Sequence, residues 1–429
     1  MTAADYSSEA DLTVAVIGLG YVGLPFAVNA QSRGIATIGF DINRGKIEDL
    51  AAGRSPIGDV SDEVLRIALE AGMKLTAEPA DLKDANAFII CVPSPLGATR
   101  EPDLSYIRAA SDLVASVVSA GALVSLESTT YPGTTEEIIA ESLHQAGLEI
   151  DRDVFVAYSP ERVNPGSNTA LHSIPKVVGG LTPKSTEVAV SVYRRLVDNV
   201  HPVSDAKVAE LSKLLENTYR SINIALANEM AQLAHELGIS IWETIEAAAT
   251  KPFGFTAFYP GPGVGGHCIP LDPQYLAWKA KEVGGTIRFV ELADQINTNM
   301  PRYVVDRVMS LLNDQQKAVR GSRVLAIGLS YKPNVSDDRE SPSVEVVERL
   351  VELGADVDVV DPMLTDQAIR LRGVTPVSDV SLTMYDLALV LTDHDDVDYD
   401  TIARQSVAVF DTRAAYRRRG LSVDNVTEI

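Results

Sequence analysis

Residues 13–23 read TVAVIGLGYVG, and this stretch decides the fold class of the chain. Residues 13–17 are β-branched and apolar, which is the pattern of a strand buried in a parallel sheet. A G-x-G-x-x-G loop follows, then a helical pattern through Ala30 and a second strand at residues 36–40 that ends at Asp41. Strand, glycine loop, helix, strand and acid in this order predict a dinucleotide-binding unit.

The glycines and the acid have distinct expected roles. Gly18 makes the turn, Gly20 admits the pyrophosphate, and Gly23 lets the helix pack on the strand. Asp41 is expected to accept from the adenosine ribose hydroxyls, which favours NAD over NADP. Arg44 is either an exposed residue at a helix start or a contact for a 2′-phosphate, and both interpretations stay open. We assign to the cofactor Gly18, Gly20, Tyr21, Val22, Gly23, Asp41, Arg44, Ser94 and Thr129.

Three further strands are predicted at residues 87–92, 122–126 and 154–158, and a polar segment follows each of them. Open α/β sheets bind their ligands beyond the carboxyl ends of strands. Residues 127–133 and 159–161 are therefore expected near a ligand. Cys91 lies inside a predicted strand and is expected to be an inert core residue.

Composition narrows the class of protein. A chain of 429 residues has room for two or three domains. Its net charge of −22 argues against nucleic acid as a partner, although helix N-termini and a few arginines still bind small anions. Two cysteines make a disulfide framework implausible and indicate a reducing compartment. With a polar, acidic start and no apolar run near ~20 residues, we predict a cytoplasmic protein without a membrane span.

Cys268 is predicted to be a nucleophile. The segment at residues 261–272, GPGVGGHCIPLD, removes side chains from the backbone just before the thiol and places Asp272 shortly after it. Substrate must come within bonding distance of sulfur, and glycine lets the chain approach that closely. A core cysteine needs none of these features.

A long helix without proline or glycine is predicted from residue 206 to residue 237, with a capping box at 240–243 opening the next helix. Lys213, Asn217 and Arg220 share one face of the long helix. They form either a solvated face or a polar stripe that lines a cavity, and the spacing alone does not decide. Helices of this length usually span an interface or join domains.

The C-terminal part repeats the strand, glycine turn, helix, strand and acid of the first segment. The strands are predicted at residues 323–327 and 357–360, the helix at 344–353, and the acid is Asp361. The second and third glycines are missing, and a longer loop at residues 331–342 replaces them. We therefore predict a second Rossmann-like lobe with a different ligand.

Two cations in this loop suit a diphosphate other than NAD. Lys332 and Arg339 lie beside a helix N-terminus that Ser341 is expected to cap. The alternative is that they pair with acidic residues of the same loop. The aspartates and histidines of the C-terminal region lack calcium-loop or zinc spacing, so no metal site is predicted.

Six motifs stand in order along the chain. They are G-x-G-x-x-G at 18–23, ESTTYPGT at 127–134, SPERVNPG at 159–166, K-x-x-x-N at 213–217, GGHC-x-x-x-D at 265–272 and the loop from Lys332 through Arg339-x-Ser341-Pro342. Jointly they resemble the UDP-sugar 6-dehydrogenases over nearly the whole chain. The resemblance implies an α/β protein with two Rossmann-like doubly wound domains joined by a long central helix and a helical middle domain. The implied domains are 1–204 for NAD, 205–312 for the helical middle, which carries the cysteine loop and a dimer interface, and 313–429 for the UDP-sugar.

The resemblance also implies the reaction, in which a primary alcohol becomes a carboxylate in two NAD-linked steps without release of the aldehyde. Cys268 is the implied nucleophile, through a thiohemiacetal and a thioester. Lys213 and Asn217 would stabilise the developing oxyanion.

Three more residues have implied catalytic roles: Asp272 and Thr129 would position a water, and Glu161 would assist thioester hydrolysis. Arg220 would face the N-acetyl group or the phosphate of the substrate, and the resemblance leaves both open. The implied substrate residues are Glu161, Arg162, Val163, Lys213, Asn217, Arg220, Tyr259, Gly261, Gly263, Gly265, Lys332 and Arg339.

The sugar is less closely specified. Arg162 and Val163 after Ser-Pro-Glu, and His267 before the cysteine, depart from the strict glucose enzymes and resemble the branch that acts on UDP-N-acetylhexosamines. UDP-N-acetylglucosamine is the first expectation, UDP-N-acetylmannosamine the second and UDP-glucose the third. A sensing protein that binds NAD and nucleotide sugars without catalysis is an alternative of another class. The family resemblance further implies a homodimer or larger homo-oligomer and a role in surface polysaccharide synthesis.

Overall fold

The computed structural model describes residues 12–97, 100–163, 170–266, 269–370, 372–378, 380 and 384–429. The chain forms two compact units. The first unit comprises Met1–Glu216 and Gln274–Gly285, and the second comprises Asn217–Pro273 and Thr286–Ile429.

The first unit is built on one sheet. Its strands are β1 (Thr13–Ile17), β2 (Ala36–Phe40), β3 (Lys74–Thr76), β4 (Ala87–Ile90), β5 (Ala122–Leu126), β6 (Val154–Tyr158), β7 (Lys176–Gly180) and β8 (Val200–Pro202). Their order is β3-β2-β1-β4-β5-β6-β7-β8. The pairs are parallel except for β6 with β7. The strand order reverses between β1 and β4, which is the point where such sheets bind nucleotides.

Three of the six helices of this unit begin at a side chain that caps them. They are α1 (Gly23–Ser32), α2 (Arg44–Ala51), α3 (Asp62–Glu70), α4 (Ser105–Val117), α5 (Glu141–Gln145) and α6 (Pro183–Leu196), with short helical turns at Pro79–Leu82, Thr135–Ala140 and Leu171–Ser173. Asn43, Ser61 and Thr182 each accept a backbone hydrogen bond from the first turn of α2, α3 and α6. The sequence therefore fixes where these helices start.

Four helices follow along the chain: α7 (Ala206–Glu236), α8 (Ile241–Ala249), α9 (Asp272–Glu282) and α10 (Arg288–Asp314). The boundary between the two units falls inside α7. Ser240 caps α8 by accepting from the backbone of Glu243, as the capping-box pattern predicts. Gly238 has a φ of +67°, which suits the residue just past a helix end.

The second unit contains a parallel six-stranded sheet. Its elements are β9 (Arg323–Ile327), α11 (Pro342–Glu352), β10 (Asp356–Val360), α12 (Asp366–Arg370), β11 (Thr375–Pro376), β12 (Tyr385–Val390), α13 (Tyr399–Arg404), β13 (Ser406–Asp411), α14 (Ala415–Arg418) and β14 (Val426–Glu428). The strand order β11-β10-β9-β12-β13-β14 repeats that of the first six strands of the other sheet. The expectation of two Rossmann-like domains is confirmed.

Burial of both faces explains the apolar strands. Val14 and Val16 belong to one hydrophobic cluster of the first unit, whereas Ala15 and Ile17 belong to another. Successive side chains of β1 therefore enter cores on opposite faces of the sheet. Among the described residues, no helix is both long and apolar enough to cross a membrane.

Candidate functional site

The three glycines after β1 differ in what surrounds them. Gly18 has a φ of +94°, and a Cβ added there would lie 2.9 Å from the carbonyl oxygen of Cys91. A Cβ on Gly23 would lie 1.8 Å from the carbonyl oxygen of Gly18, whereas one on Gly20 meets nothing within 4 Å. The loop therefore needs glycine at two positions for its own geometry and keeps open space at the third. These residues fit a pyrophosphate that approaches the backbone at Gly20.

Asp41 holds this loop from the end of β2. Its carboxylate accepts from the backbone N–H of Leu19 at 3.1 Å and forms an ion pair with Lys46 at 2.7 Å. Arg44 is exposed at the start of α2 and pairs with Glu78 at 2.5 Å. Asp41 is therefore bonded to the glycine loop itself, and Arg44 is paired with a neighbouring carboxylate at the surface.

The other predicted cofactor residues lie around the ends of β1, β4 and β5. Tyr21 is 46% exposed, and Val22 precedes the first residue of α1. The carbonyl of Ser94 accepts from the hydroxyl of Tyr275 at 2.7 Å. Thr129 is half-buried in the loop after β5. This end of the sheet is where the strand order places a ligand.

Lys213 and Glu161 are brought together in the first unit. The ammonium of Lys213, which is only 7% exposed, donates to the backbone carbonyl of Glu161 at 2.5 Å. The carboxylate of Glu161 accepts from the backbone N–H of Val163 through Oε1. Arg162 forms a two-point ion pair with Glu216 and donates to Pro175. Groups of the protein therefore already occupy several hydrogen-bond donors of Arg162, a residue that the sequence assigns to the substrate.

Asn217 and Asp272 are brought together in the second unit. The side-chain amide of Asn217 donates to Oδ2 of Asp272, and both residues are buried. Asp272 is the first residue of α9. Arg220 lies on the same side of α7 as Asn217, but its side chain is exposed. Cys268 and His267 lie outside the described residues.

The glycine segment before the cysteine packs against the loop at residues 331–342. A Cβ on Gly265 would lie 2.8 Å from both Tyr331 and Pro342, and one on Gly263 would lie 2.9 Å from Pro342. The backbone N–H of Gly261 donates to the buried side chain of Asn228 at 3.0 Å. The second unit thus joins the two segments that the sequence assigns to the UDP-sugar, and the contact requires residues without side chains.

The remaining predicted substrate residues lie in the second unit. Tyr259 stacks on Trp242 with ring centroids 5.4 Å apart. Lys332 is half-buried and Arg339 is exposed. Arg339 pairs with Asp337 at 2.7 Å, so one of the two expected loop cations is at least partly neutralised within its own loop.

The sequence did not predict two cations of the fold, the half-buried Arg413 and the buried Lys176. Arg413 donates to the carbonyl of Leu391 at 2.7 Å, and its Nη1 lies 2.4 Å from the position of a Cβ on Gly261. Burial lowers the pKa of Arg413 to about 10. Arg413 could have been found from the polar segment that follows β13, because the same pattern was used after the strands at residues 87–92, 122–126 and 154–158. Lys176 could not have been found in this way, since a lysine at the start of a strand is not such a pattern.

Models of one family match the chain in three consecutive segments. They describe the NAD binding domain of the UDP-glucose/GDP-mannose dehydrogenase family at residues 12–197, its central domain at 207–299 and its UDP binding domain at 325–418. The chain belongs to the UDP-glucose/GDP-mannose dehydrogenase family. It is an NAD-dependent UDP-sugar dehydrogenase, as its similarity to named dehydrogenases also indicates.

Members of the family that are similar to this chain have different sugar substrates in their names. A UDP-N-acetyl-D-glucosamine 6-dehydrogenase of Pseudomonas aeruginosa is 39% identical over 90% of this chain and 91% of its own length. An NDP-N-acetyl-D-galactosaminuronic acid dehydrogenase of Ralstonia nicotianae is 37% identical over 96% of this chain and 97% of its own. The structure of a UDP-D-ManNAc dehydrogenase from Pyrococcus horikoshii superposes with a TM-score of 0.88 at 33% identity, covering 97% of this chain and 99% of that one. The family and cofactor are settled by these similarities, but the sugar is not.

Proposed function

We propose that the chain oxidises the C6 alcohol of a UDP-N-acetylhexosamine, with UDP-N-acetylglucosamine favoured, to the uronate through a thioester on Cys268. The hydrogen bond between Asn217 and Asp272 carries this proposal. It joins the amide assigned to the oxyanion with the carboxylate assigned to the reactive water. In the sequence, Asp272 comes four residues after Cys268. Residues 1–204 would bind NAD, 205–312 would carry the catalytic cysteine, and 313–429 would bind the UDP part.

The chemistry assigns one task to each polar side chain. NAD, when bound, would supply the hydride acceptor for each oxidation, with a fresh NAD for the second, and the water held by Asp272 and Thr129 would take the proton of the C6 hydroxyl in the first. The thiolate of Cys268 adds to the C6 aldehyde carbon that the first oxidation produces, forming a C–S bond and an alkoxide. Lys213 and Asn217 would stabilise that alkoxide as donors one turn apart on α7. Loss of the second hydride leaves the C6 carbon as a thioester.

Hydrolysis then frees the enzyme. A water positioned by Asp272 and Thr129 attacks the thioester carbon, Glu161 accepts one proton of that water, and the C–S bond breaks to give a carboxylic acid and the Cys268 thiolate. The acid then loses its proton to solvent and leaves as the carboxylate. The half-buried position of Thr129 and the short contacts of Glu161 suit these roles, because a group that positions water must itself be held.

The N-acetylated sugar is favoured by two kinds of observation. Arg162 and Val163 replace the Phe-Leu pair expected of glucose enzymes, and the similar relatives named above act on N-acetylated sugars or their uronates. UDP-N-acetylmannosamine is the next candidate, because a UDP-D-ManNAc dehydrogenase superposes over nearly the whole chain. UDP-glucose is the third.

A homodimer is part of the proposal. Along one side of α7 the apolar side chains are half exposed at helical spacing, among them Leu211, Leu215, Leu226 and Leu233. An exposed apolar stripe of this kind on a helix marks a surface that packs against another protein chain. A second copy of the chain presents the same stripe and completes a symmetric interface. We place the protein in the cytoplasm, where its two cysteines would stay reduced.

Product counting tests the proposal. The purified chain is mixed with NAD and, separately, with UDP-glucose, UDP-N-acetylglucosamine and UDP-N-acetylmannosamine, and NADH formed is counted per sugar consumed. Two NADH with UDP-N-acetylglucosamine supports the full proposal, and two NADH with another sugar corrects the substrate alone. One NADH with aldehyde released contradicts the thioester mechanism.

A further inference from the structure

A buried cluster of polar groups lies under the loop that carries Glu161. Lys176, at the start of β7, donates to Oε2 of Glu127 at 2.6 Å. The other oxygen of that carboxylate accepts from the hydroxyl of Tyr193 at 2.7 Å, and the same hydroxyl lies 2.9 Å from the hydroxyl of Ser125. All four residues are at least nine-tenths buried. A buried lysine and glutamate are costly in a core, so their retention calls for an explanation beyond stability.

Lys176 also reaches the Glu161 loop. Its ammonium donates to the carbonyl of Pro160 at 3.2 Å and lies 3.8 Å from Oε2 of Glu161. That oxygen is buried and accepts no hydrogen bond within the described part of the chain. Oε1 accepts from the backbone of Val163. The side chain of Glu161 therefore has one oxygen tethered to its own loop and the other turned toward a buried cation.

Lys176 offsets part of the negative charge of the cluster. Glu127 and Glu161 are two carboxylates that share one ammonium, and burial alone would lower the pKa of Lys176. The two carboxylates outweigh that effect and hold the pKa of Lys176 above its ordinary value. Burial raises the pKa of the nearby Cys91 thiol, which therefore stays neutral, as does the Tyr193 hydroxyl, and Lys213 meets Glu161 only at its backbone.

We propose that Lys176 is a positioning residue, which holds the backbone and the free carboxylate oxygen of Glu161 in place so that Glu161 can take the proton of the water that cleaves the thioester. This inference rests on the proposed function of Glu161. Lys176 touches neither substrate nor reacting atoms in this scheme. Its effect falls on hydrolysis and leaves the two oxidations, which use other side chains, unchanged.

The competing explanation is that Lys176 only neutralises Glu127. The double variant Lys176→Met with Glu127→Gln separates the two explanations, because it removes the Lys176–Glu127 ion pair without leaving Glu127 charged and unpaired, and it withdraws the cation from Glu161 alone. Glu127→Gln alone is the matched control, and Lys176→Arg keeps the positive charge near Glu161. The full-length chain is used throughout, with NAD and UDP-N-acetylglucosamine or whichever of the three sugars the wild type consumes.

The measurement compares the rate of thioester hydrolysis with the rate of NADH release in the same reaction. The reaction is quenched at intervals, the covalent sugar adduct is followed by intact-protein mass, and NADH is followed by absorbance. We expect the double variant to release NADH at the wild-type rate in its first turnover but to hydrolyse the adduct at least about tenfold more slowly at pH 7. Lys176→Arg should return the hydrolysis rate toward wild type, because it keeps a cation that can hold the Pro160 carbonyl and the Glu161 side chain.

Three results would overturn the inference. Wild-type hydrolysis in the double variant would mean that Lys176 serves Glu127 alone. An equal loss in Glu127→Gln would assign the effect to Glu127. A wild-type chain that forms no adduct and yields fewer than two NADH with every sugar would remove the proposed function itself, and this failure is visible before any variant is made.

Discussion

The side-chain amide of Asn217 donates to the carboxylate of Asp272, and this hydrogen bond joins the middle of α7 to the first residue of α9. Both residues are less than a tenth exposed. A carboxylate at the first position of a helix also lies in the favourable field of the helix N-terminus. Two side chains far apart in sequence are thus held together as one polar pair.

Asp272→Asn and Asp272→Ala test whether the reaction needs the negative charge of Asp272 or only its hydrogen bond to Asn217. If Asp272 orients the reactive water as a carboxylate, both variants should lose about two to three orders of magnitude in kcat, with the KM for NAD unchanged. The amide variant keeps a hydrogen-bonding side chain opposite Asn217, so a merely structural role would leave it close to wild type. Steady-state kinetics with each nucleotide sugar decides between the two outcomes.

Cys268→Ser should abolish uronate formation while leaving NAD and UDP-sugar binding intact, because a serine hydroxyl forms no thioester. The chain has two cysteines, and Cys91→Ala is the matched control because Cys91 is buried in the first unit. The control should keep most of the activity. Binding measured by calorimetry, together with product assays, checks both variants, and uronate production by Cys268→Ser at the wild-type rate would contradict the mechanism.

Gly20→Ala and Gly23→Ala should fail in different ways. A methyl group on Gly20 meets open space, so the protein should fold normally and bind NAD at least about tenfold more weakly, since the added carbon occupies the approach of the pyrophosphate. A methyl group on Gly23 collides with the carbonyl of Gly18, so that variant should be destabilised. Thermal unfolding and NAD titration measure the two effects, and equal loss of stability in both variants would contradict the assignment.

The regular architecture could be predicted because its physical signals are local. Residues 13–17 are apolar on both sides of the strand, and the structure buries both sides. The antiparallel strand β7 was not predicted. It begins with Lys176, and a lysine at a strand end is normally taken as exposed, since burial of lysine requires a partner that only the folded chain supplies.

The candidate site was only partly predictable for the same reason. The motifs identify Asn217 and Asp272 but say nothing of the hydrogen bond between them, which depends on packing. Arg162 was assigned to the substrate, but it forms a two-point ion pair with Glu216, a residue 54 positions away. Which group a charged side chain pairs with depends on the tertiary structure. A sequence motif therefore identifies the side chain but does not identify its partner.

The burial of Glu210 leads us to expect that the stability of the first unit depends on pH. This buried residue of α7 accepts from Gly133 and Thr135, and burial outweighs those hydrogen bonds to raise its pKa to about 7. A folded-state pKa above the unfolded value means that the contribution of Glu210 is fully present below about pH 4.5 and is lost as pH rises through 7. Between pH 5.5 and 8.5 we expect a loss of about 2 kcal/mol in the unfolding free energy of the unit that contains it.

Glu210→Gln removes this titration and is the direct comparison. Its unfolding temperature should change less between pH 5.5 and 8.5 than that of the wild type, whatever its absolute stability. A difference of about 2 kcal/mol corresponds to roughly 4–8 °C in a unit of this size. Parallel curves for the two proteins would show that Glu210 stays ionised in the fold.

The apolar stripe of α7 gives the last prediction. Leu226 and Leu233 are each at least half exposed and lie on the same side of the helix, two turns apart. Leu226→Glu with Leu233→Glu should convert the expected dimer into a monomer, because two charges per chain would have to be buried without partners at a symmetric interface. Ile67→Glu makes the same chemical change at an exposed apolar residue of α3 and should leave the assembly unchanged. Light scattering after gel filtration measures the mass of each variant, and a wild-type monomer, or a dimer that survives the double change, would show that this helix is not the interface.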